Sequence, residues 1–387
     1  MWFLAFWSPV PYISSQTEET ALEVGIIGLP KSGKTTVFNA LTRGKVETAA
    51  YAQATLTPNV GVSKVPEPRL HSLDKIFQPK KIVPAEVKYV DIAGAARFPG
   101  KGAGIGGQFL NLLSNADALL QVVRIFEDEK VPHVESSIDP KRDMANMDLE
   151  LVFSDLAMIE RRLARIEEPL KGARLSERDL LLKEQVLLRK IRCGLDEDIP
   201  VWQQGLAADE ARSLTDYQFL TAKPMLVLIN IGENQLARAS STEAELRSAS
   251  SYPQFEVAAL CGKLEMELAQ LTEDEAEEFR GALGLTEPAL DRIIRLSYQL
   301  LGLISFFTTV SGELKAWTIP QETTALRAAG KIHSDIEKGF IRAEVVSFDD
   351  LDTCGSLPEA RKRGLLRLEG KNYIVRDGDI ITFLFNV

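Results

Sequence analysis

The chain has 387 residues, of which 45% are hydrophobic, and a formal net charge of −10 at neutral pH. This length predicts two or three domains, and the apolar fraction is ordinary for a soluble globular protein with substantial cores. The acidic balance argues against a protein that binds polyanions over its whole surface, although it leaves room for a local basic face. The three cysteines lie far apart without metal-ligand spacing, which favours a reducing, cytosolic setting.

The first seven residues are apolar, and prolines follow them at positions 9 and 11. This run is too short to span a bilayer, and it lacks the basic start and the small-residue cleavage site of a signal peptide. We therefore expect residues 1–21 to be a disordered extension or the product of an upstream start codon. A weak contact with a membrane or a partner is the less favoured alternative, and no membrane attachment is expected.

A glycine-rich stretch, Gly28–Thr35, follows the apolar segment 22–27 and precedes a segment with helical spacing, 36–41. It fits the phosphate-binding pattern G-x-x-x-x-G-K-[ST] at every fixed position, in the strand–loop–helix context that the pattern requires. Its glycines allow consecutive amides to turn toward a phosphate, which the N-terminus of the following helix also attracts. We expect Lys34 to reach the β- and γ-phosphates and the Thr35 hydroxyl to ligate Mg²⁺.

Two later stretches predict a nucleotide-dependent switch. The loop before Pro58 offers Thr55 and Thr57, and either hydroxyl could complete the magnesium shell when a γ-phosphate is present. An apolar strand then ends at Asp91, with Gly94 three residues later. This D-x-x-G pattern provides a carboxylate for Mg²⁺ and an amide for the γ-phosphate, at the end of a strand where ligands of α/β sheets bind.

The residue after this glycine is Ala95, where Ras-like enzymes carry a glutamine that orients the attacking water. A methyl group cannot orient water, so the sequence predicts slow hydrolysis that recruits its polar group from elsewhere. Residues 98–108 contain five glycines, which favours a mobile flap that orders with nucleotide over a plain linker.

Beyond Pro140 the pattern becomes that of long helices. Apolar residues recur in steps of three and four from Leu149 to Ile166, and Ser176–Asp179 has the pattern of a capping box that opens a second helix. We therefore predict an antiparallel helical hairpin within an insert at about residues 141–222. Its apolar seam is either plain core packing or a partner-binding coiled coil.

The nucleotide domain resumes with the apolar run 223–230, which leads into the tetrad Asn230-Ile-Gly-Glu233. GTPases carry N-K-x-D here, and the aspartate accepts hydrogen bonds from N1–H and the 2-amino group of guanine. In this chain Ile231 replaces the lysine and the carboxylate stands on a longer arm, so both changes weaken guanine selection. We favour adenine, which has no 2-amino group. Residues 255–260 read as the last strand, and Cys261–Lys263 as the loop beneath the base.

This order of motifs resembles the YchF family of Obg-like translation-factor ATPases, from about residue 22 to the C-terminus. The stretches 315–320, 328–344 and 373–387 resemble that family's TGS domain, a ubiquitin-like β-grasp module. The resemblance implies an α/β fold: a P-loop NTPase domain at 22–280 with an inserted α-helical coiled-coil hairpin, followed by a TGS domain at 302–385.

The resemblance also implies a cytoplasmic, Mg²⁺-dependent enzyme that hydrolyses ATP to ADP as a conformational switch. Its implied partner is the ribosome, on the large subunit and with a possible rRNA contact; the oligomeric state stays open. Together with the motifs, it assigns these nucleotide-binding residues: Lys31, Ser32, Gly33, Lys34, Thr35, Thr36, Gly94, Asn230, Ile231, Glu233, Cys261 and Gly262. The assigned magnesium ligands are Thr35, Thr55 and Asp91.

Three positions depart from the family's pattern. Lys31 replaces a P-loop asparagine that helps to hold a monovalent ion in potassium-assisted relatives, and we hypothesise that its ammonium supplies that charge itself. Gln121 stands where some members carry a histidine considered for catalysis, and its side chain either orients water or is buried in the strand. The base-pocket loop Cys261–Lys263 has an unusual sequence.

In the C-terminal domain, a basic cluster at 361–371 is a candidate contact for rRNA phosphate, with a solvated face as an equal alternative. Phe306, Phe307 and residues 380–385 are predicted to form core rather than a stacking platform for bases. Two other functions stay open: a nucleotide-gated binding module with negligible turnover, and a GTP-specific GTPase.

Overall fold

The computed structural model describes residues 22–44, 58–91, 107–172, 174–249, 255–285 and 287–386. The predicted N-terminal extension lies outside these residues, as do Thr55, Thr57, Gly94, Ala95 and most of the glycine-rich flap. Within the described ranges, no helix combines the length and the apolar character that crossing a membrane requires.

Strands and helices alternate through most of the described chain. The strands are β1 (Leu22–Ile27), β2 (Asn59–Lys64), β3 (Lys81–Val83), β4 (Glu86–Asp91), β5 (Ala118–Arg124), β6 (Met225–Asn230), β7 (Phe255–Leu260), β8 (Leu303–Val310), β9 (Glu313–Pro320), β10 (Phe340–Ser347), β11 (Arg367–Glu369) and β12 (Asp379–Phe385). The α-helices are α1 (Lys34–Thr42), α2 (Arg69–Phe77), α3 (Gly107–Asn115), α4 (Pro140–Gly172), α5 (Leu175–Asp196), α6 (Ala208–Ser213), α7 (Ala239–Ala249), α8 (Gly262–Leu268), α9 (Glu273–Ala282), α10 (Ala289–Leu300), α11 (Ala325–Ile332), α12 (Ser334–Lys338), α13 (Phe348–Cys354) and α14 (Leu357–Lys362).

The first sheet has six strands in the order β2-β4-β1-β5-β6-β7. Neighbouring strands from β1 to β7 pair in parallel, and every residue of β5 and β6 is buried. Strands of a parallel sheet are covered on both faces, so they are continuous apolar runs rather than alternating ones. The predicted strands 22–27 and 255–260 are confirmed with the same bounds, and the predicted strand 223–230 begins two residues later, at Met225. Such continuous apolar runs make buried parallel strands easy to locate in a sequence.

The predicted helical hairpin is confirmed and consists of α4 and α5. Arg162 pairs with Glu184, whereas Glu160 pairs with Arg192, so the two helices run in opposite directions. The seam between them contains the buried residues Val152, Ile159, Ile166, Leu188, Ile191 and Leu195. Their seven-residue spacing on α4 is that of coiled-coil packing.

Two details of the hairpin differ from the prediction. Leu149, the first residue of the predicted seam, is exposed. The capping box is wrong, because α5 begins at Leu175 after Arg174, and no side chain caps it. Ser176 is the second residue of the helix, so its side chain lies past the N-cap position.

Asp155 anchors α4 to the segment that leads into β6. Its fully buried carboxylate accepts hydrogen bonds from the backbone N–H groups of Leu220 and Thr221, at 2.9 and 2.8 Å, and from the Thr221 hydroxyl at 2.7 Å. Burial raises the pKa of Asp155 to about 6, although these hydrogen bonds lower it. The root of the hairpin therefore depends on one buried acceptor.

The second sheet has the order β11-β10-β12-β8-β9-β3. Of the five C-terminal strands, the first and the fifth, β8 and β12, pair in parallel at the centre, and β9, β10 and β11 flank them in antiparallel pairs. This is the arrangement of a ubiquitin-like β-grasp, as the resemblance implied. The small residues Ala325, Ala328 and Ala329 bring α11 against the apolar face of this sheet.

The residues predicted to be core are buried at Phe306, Phe307, Ile380 and Ile381, but the prediction is wrong for the end of β12, where Thr382, Leu384 and Phe385 are exposed. Phe306 and Phe307 have no exposed surface, and Phe306 stacks on Trp317 at 6.4 Å between ring centroids. Phe385 is 42% exposed although it still pairs with Phe340 of β10.

The chain divides into two compact units, which differ from the predicted domains in one segment. The first unit contains the described parts of Glu23–Gly61 and Tyr89–Gly284; the second contains Val62–Lys88 and the described parts of Leu285–Val387. Residues 62–88 were predicted to belong to the nucleotide domain. They join the second unit because β3 adds a parallel strand beside β9, and because Arg69 forms an ion pair with Asp377 at 2.8 Å.

We predict that Asp155→Asn lowers the free energy of unfolding of the first unit by about 2–4 kcal/mol. Both carboxylate oxygens of Asp155 accept hydrogen bonds, and in the variant an amide NH₂ group, which only donates, would replace one of these acceptors. Hydrogen exchange of residues 219–225 and urea denaturation measure the effect. Glu168→Gln is the control: it removes an exposed ion pair with Lys171, and we expect a change below about 0.5 kcal/mol. Equal behaviour of both variants would contradict the prediction.

A candidate nucleotide-binding site at the P-loop

The residues that the motifs singled out lie at one edge of the first sheet. Register pairs Ile27 with Gln121 and Arg124 with Asn230, so the carboxyl ends of β1, β5 and β6 adjoin. Ligands of parallel sheets bind at this edge, because the loops that leave neighbouring strands open into one crevice. The glycine-rich loop leaves β1 here and enters α1 at Lys34.

Two glycines determine the path of this loop. Gly28 and Gly33 have φ values of +144° and +91°, which residues with side chains rarely adopt. A Cβ atom on Gly28 would collide with the carbonyl oxygen of Val122, and one on Gly33 with the side-chain amide of Asn230. The loop therefore packs closer to β5 and β6 than any residue with a side chain would allow.

Lys34 lies inside the loop rather than in solvent. Its Nζ donates to the carbonyl oxygens of Gly28 and Leu29, both at 2.8 Å, and the residue is 8% exposed. Burial lowers the pKa of Lys34 to about 8, although the charge of Asp91 opposes the shift. A phosphate in the loop would offer full negative charges in place of carbonyl dipoles and would raise this pKa.

Thr35 and Asp91 meet beside Lys34. The Thr35 hydroxyl donates to Asp91 Oδ2 at 3.0 Å, and the side-chain amide of Asn59 donates to the same oxygen at 3.3 Å. Asp91 is fully buried, and burial raises its pKa against the opposing effects of Lys34 and these two donors. Within the part of the chain that the structure describes, Asp91 Oδ1 and the buried Ser32 Oγ have no hydrogen-bond partner.

These unpartnered oxygens fit a magnesium ion and a nucleotide phosphate. Mg²⁺ prefers oxygen ligands, retains several waters and binds through few carboxylates. The Thr35 hydroxyl would ligate the ion directly, and the free oxygen of Asp91 would accept from one of its waters. Thr55 and Gly94 lie outside the described residues, so their part in the site stays a prediction, and Thr36 lies partly exposed in the first turn of α1.

Asn59 and Arg124 are site residues that sequence reasoning missed. Arg124 ends β5 and is 2% exposed; its guanidinium donates to the carbonyl oxygens of Lys31 and Phe126, at 3.3 and 3.0 Å, and stacks on the Phe126 ring. Arg124 ends a strand whose other residues, apart from Gln121, are apolar. An arginine buried in such a place has to be paired, and this signal could have identified it. Asn59 follows Pro58 directly, but nothing local indicated that its amide reaches Asp91.

Lys31 lies at the rim of the site. Its backbone is left-handed, with φ of 63°, a conformation that an asparagine adopts more readily than a lysine. Its ammonium donates to the carbonyl oxygen of Pro132 at 3.2 Å, in the segment that leads to α4. The hypothesis that Lys31 replaces a monovalent ion stays a prediction.

Asn230 holds the loops of the site together. Its Nδ2 donates to the Ser32 carbonyl oxygen at 3.0 Å, and its Oδ1 accepts from the Gly262 N–H at 3.1 Å. The side chain therefore bridges the glycine-rich loop and the predicted base-pocket loop. In this arrangement both ends of the amide are engaged, and Asn230 acts as a positioning residue.

The predicted base-pocket residues differ in exposure. Ile231 and Cys261 are 2% and 3% exposed, so neither presents its side chain to a ligand in this structure. Glu233 and Lys263 are exposed and form an ion pair, with 3.1 Å between Nζ and Oε1. Gly262 begins α8 and contributes its N–H to Asn230.

Gln121 lies in the interior of β5, between β1 and β6, and is 2% exposed. Of the two alternatives for its side chain, the structure has the buried one. Lys34 and Asp91 are buried at the same edge of the sheet, so burial alone does not separate Gln121 from the site, and its catalytic role stays a prediction.

The C-terminal basic cluster is largely paired. Arg361 forms an ion pair with Glu344 at 3.0 Å, and Arg363 forms one with Glu359 at 2.9 Å. Arg367 lies 3.5 Å from Glu369. These carboxylates reduce the charge available to an RNA phosphate, which favours the solvated-face alternative for this cluster.

We predict that Asn230→Asp weakens ADP binding at least about tenfold, because a carboxylate cannot donate to the Ser32 carbonyl and places a negative charge beside the phosphate loop. Isothermal calorimetry with Mg²⁺ measures the affinity. Asn234→Asp introduces the same charge four residues later at an exposed position and serves as the control. Equal affinities for the two variants would rule out the bridging role of Asn230.

Binding of ADP is expected to change the protonation of Lys34. Since burial lowers the pKa of Lys34 to about 8, a fraction of this lysine is neutral in the free protein above that pH. A bound phosphate restores its charge, so we expect ADP binding at about pH 8.5 to take up protons and to weaken further as the pH rises. Calorimetry in buffers of different ionisation enthalpy measures the uptake; equal uptake at about pH 7 and pH 8.5 would contradict it.

Comparisons with known proteins agree with this geometry. Two family models match: MMR_HSR1, described as a 50S ribosome-binding GTPase, over residues 23–155, and YchF-GTPase_C, described as a protein of unknown function, over residues 303–386. The protein named ribosome-binding ATPase YchF from Bacillus subtilis is 38% identical over 369 residues, which cover 95% of this chain and 100% of that protein. Its namesake from Escherichia coli O157:H7 is 38% identical over 94% of this chain and 99% of its own length.

A solved structure, that of the Schizosaccharomyces pombe YchF GTPase, is similar over 94% of this chain and 97% of its own, with a TM-score of 0.80 and 32% identity. Both the P-loop unit and the C-terminal β-grasp thus have counterparts in one known architecture. The full-length identity and this shared architecture establish that the chain belongs to the YchF family.

Proposed function

We propose that this protein is a cytosolic, Mg²⁺-dependent ATPase that binds ribosomes and uses the hydrolysis of ATP to ADP and phosphate as a conformational switch. The observation that carries the proposal is the grouping of Lys34, Thr35 and Asp91 at one edge of a parallel sheet, with buried oxygens that lack partners among the described residues. Relatives that are 38% identical over nearly the whole chain bear the name ribosome-binding ATPase, which supports the same function here.

In this proposal the phosphates occupy the loop 28–33. The Lys34 ammonium leaves the carbonyl oxygens of Gly28 and Leu29 for the β- and γ-phosphates, and the buried Ser32 hydroxyl gains a phosphate oxygen as its partner. Magnesium, when bound, neutralises the phosphate charge between Thr35 and Asp91. Thr55 and the Gly94 amide complete the γ-phosphate contacts, so the loss of that phosphate changes the state of both switch segments.

Hydrolysis is proposed to be slow in the free protein. Ala95 has no polar side-chain atom to orient water, and the Gln121 side chain is buried. A partner that reorders the switch segments would bring a polar group to the water. The relatives' names favour the ribosome as this partner, and the description of the matched family model, a 50S ribosome-binding GTPase, supports the large subunit.

Adenine is proposed as the preferred base. A guanine-specific site offers one carboxylate to two donors, N1–H and the 2-amino group, with both oxygens free. Here one oxygen of Glu233 is paired with Lys263, and the side chain of Ile231 is buried instead of packing along the base. Both differences weaken the recognition of guanine.

We expect ADP with Mg²⁺ to bind at least about tenfold more tightly than GDP, and ATP turnover to increase when purified large ribosomal subunits are added. Calorimetry and phosphate release measure the two effects. Lys34→Ala, with its fold checked by circular dichroism, should lose both. Tighter binding of GDP would make the protein a GTPase, the activity for which the Schizosaccharomyces pombe relative is named. Binding without turnover, even with ribosomes, would make it a nucleotide-gated binding module.

A further inference from the structure

We propose that Lys263 is a specificity-determining residue, whose ammonium holds the Glu233 carboxylate so that the pair matches the edge of adenine and disfavours that of guanine. The proposal deepens the proposed function and rests on its base pocket. It concerns a residue that the motif of the pocket does not include and that this chain contributes from its unusual loop.

The ion pair links two loops that another contact already fixes. Glu233 follows β6, and Lys263 lies in the first turn of α8 after β7. The Asn230 side chain bonds to the Gly262 N–H at 3.1 Å, so the backbones that carry the two charged residues are held side by side. Buried strands β6 and β7, paired in parallel from Met225 to Asn230, anchor both loops.

Lys263 has two carboxylates within reach, and Glu233 is the nearer one. The distance from Nζ is 3.1 Å to Glu233 Oε1 and 4.0 Å to Glu267 Oε1, one turn along α8. The pKa of Lys263 is raised first of all by the hydrogen bond with Glu233. The ammonium thus engages one oxygen of the residue that reads the base, while the second oxygen remains available to a ligand.

The hydrogen-bond patterns of the two bases differ at this edge. Adenine presents a donor, its 6-amino group, beside an acceptor, N1. A carboxylate oxygen beside an ammonium offers an acceptor and a donor, which complements adenine. Guanine presents N1–H beside the 2-amino group, two donors that require both oxygens of one carboxylate. Because Glu233 Oε1 already accepts from Lys263, it is a weaker acceptor for one of the two guanine donors.

Guanine also presents an acceptor, its O6 atom, to which the Lys263 ammonium could donate. If Lys263 serves O6, its removal weakens guanine binding. If Lys263 occupies the carboxylate, its removal strengthens guanine binding. The two roles therefore predict opposite signs for the same substitution.

The test is calorimetric binding of ADP and GDP, each with Mg²⁺, to the full chain and to Lys263→Met, which keeps the length of the side chain and removes its charge. We expect the ratio of the two affinities to shift about tenfold toward GDP, because the freed carboxylate can accept both guanine donors. An unchanged ratio, or a shift toward ADP, would overturn the proposal. Circular dichroism verifies that the variant is folded.

Two matched variants separate this role from general charge effects. Lys263→Arg keeps a donor beside Glu233 and should retain the ratio of the wild type. Glu267→Gln removes the more distant carboxylate and should also leave it unchanged. A shift of the same size in Glu267→Gln would mean that net charge, not the pair with Glu233, changes selectivity, and would count against the proposal.

The measurement also distinguishes failure of this inference from failure of the proposed function. The wild-type ratio by itself tests the preference for adenine. The change caused by Lys263→Met tests the pair, whichever nucleotide the wild type prefers. Because the pair is exposed, salt at about 1 M should reduce the difference between wild type and Lys263→Met; a difference that persists undiminished would contradict an ion-pair mechanism.

Discussion

The candidate site depends on the bridge that Asn230 forms from the end of β6. One side-chain amide donates to the Ser32 carbonyl of the glycine-rich loop and accepts from the Gly262 N–H of the next loop. Gly33 must lack a side chain because this amide fills the space beside it. The bridge thus sets the distance between the part of the site that fits phosphate and the part predicted to read the base, and a buried amide with both ends bonded has no other low-energy position.

The two charged groups of the site, Lys34 and Asp91, are buried without enough polar partners to replace their hydration. Such groups suit a charged ligand that supplies the missing partners. Among the described residues, Lys34 Nζ donates to backbone carbonyl oxygens alone, and burial lowers the pKa of Lys34 to about 8. Asp91 is fully buried with one oxygen that has no partner among the described residues, and burial raises its pKa. Such desolvated groups reduce the stability of the free protein, and a magnesium–phosphate complex would restore their partners. A ligand that restored these partners would therefore stabilise the folded unit.

The segment 62–88 lies in the chain between the P-loop helix and Asp91, yet it belongs to the second unit. Its strand β3 extends the β-grasp sheet beside β9, and its Arg69 bonds to Asp377 and lies over the ring of Phe307. No local pattern in the sequence indicated this, because β3 is only three residues long and its partner lies more than two hundred residues away.

The sequence by itself determined the parallel strands, the phosphate loop and the hairpin seam. Each of these depends on a period or a spacing within a short window: continuous apolar runs, two glycines before a lysine, or a seven-residue repeat. Only the tertiary structure decided that Asn59 reaches Asp91, that Arg124 secures the loop behind Lys31, that Gln121 is enclosed and that Lys263 pairs with Glu233. These facts depend on contacts between loops that are distant in the chain, and side-chain direction at the end of a strand is set by packing against neighbouring strands, which no local pattern records.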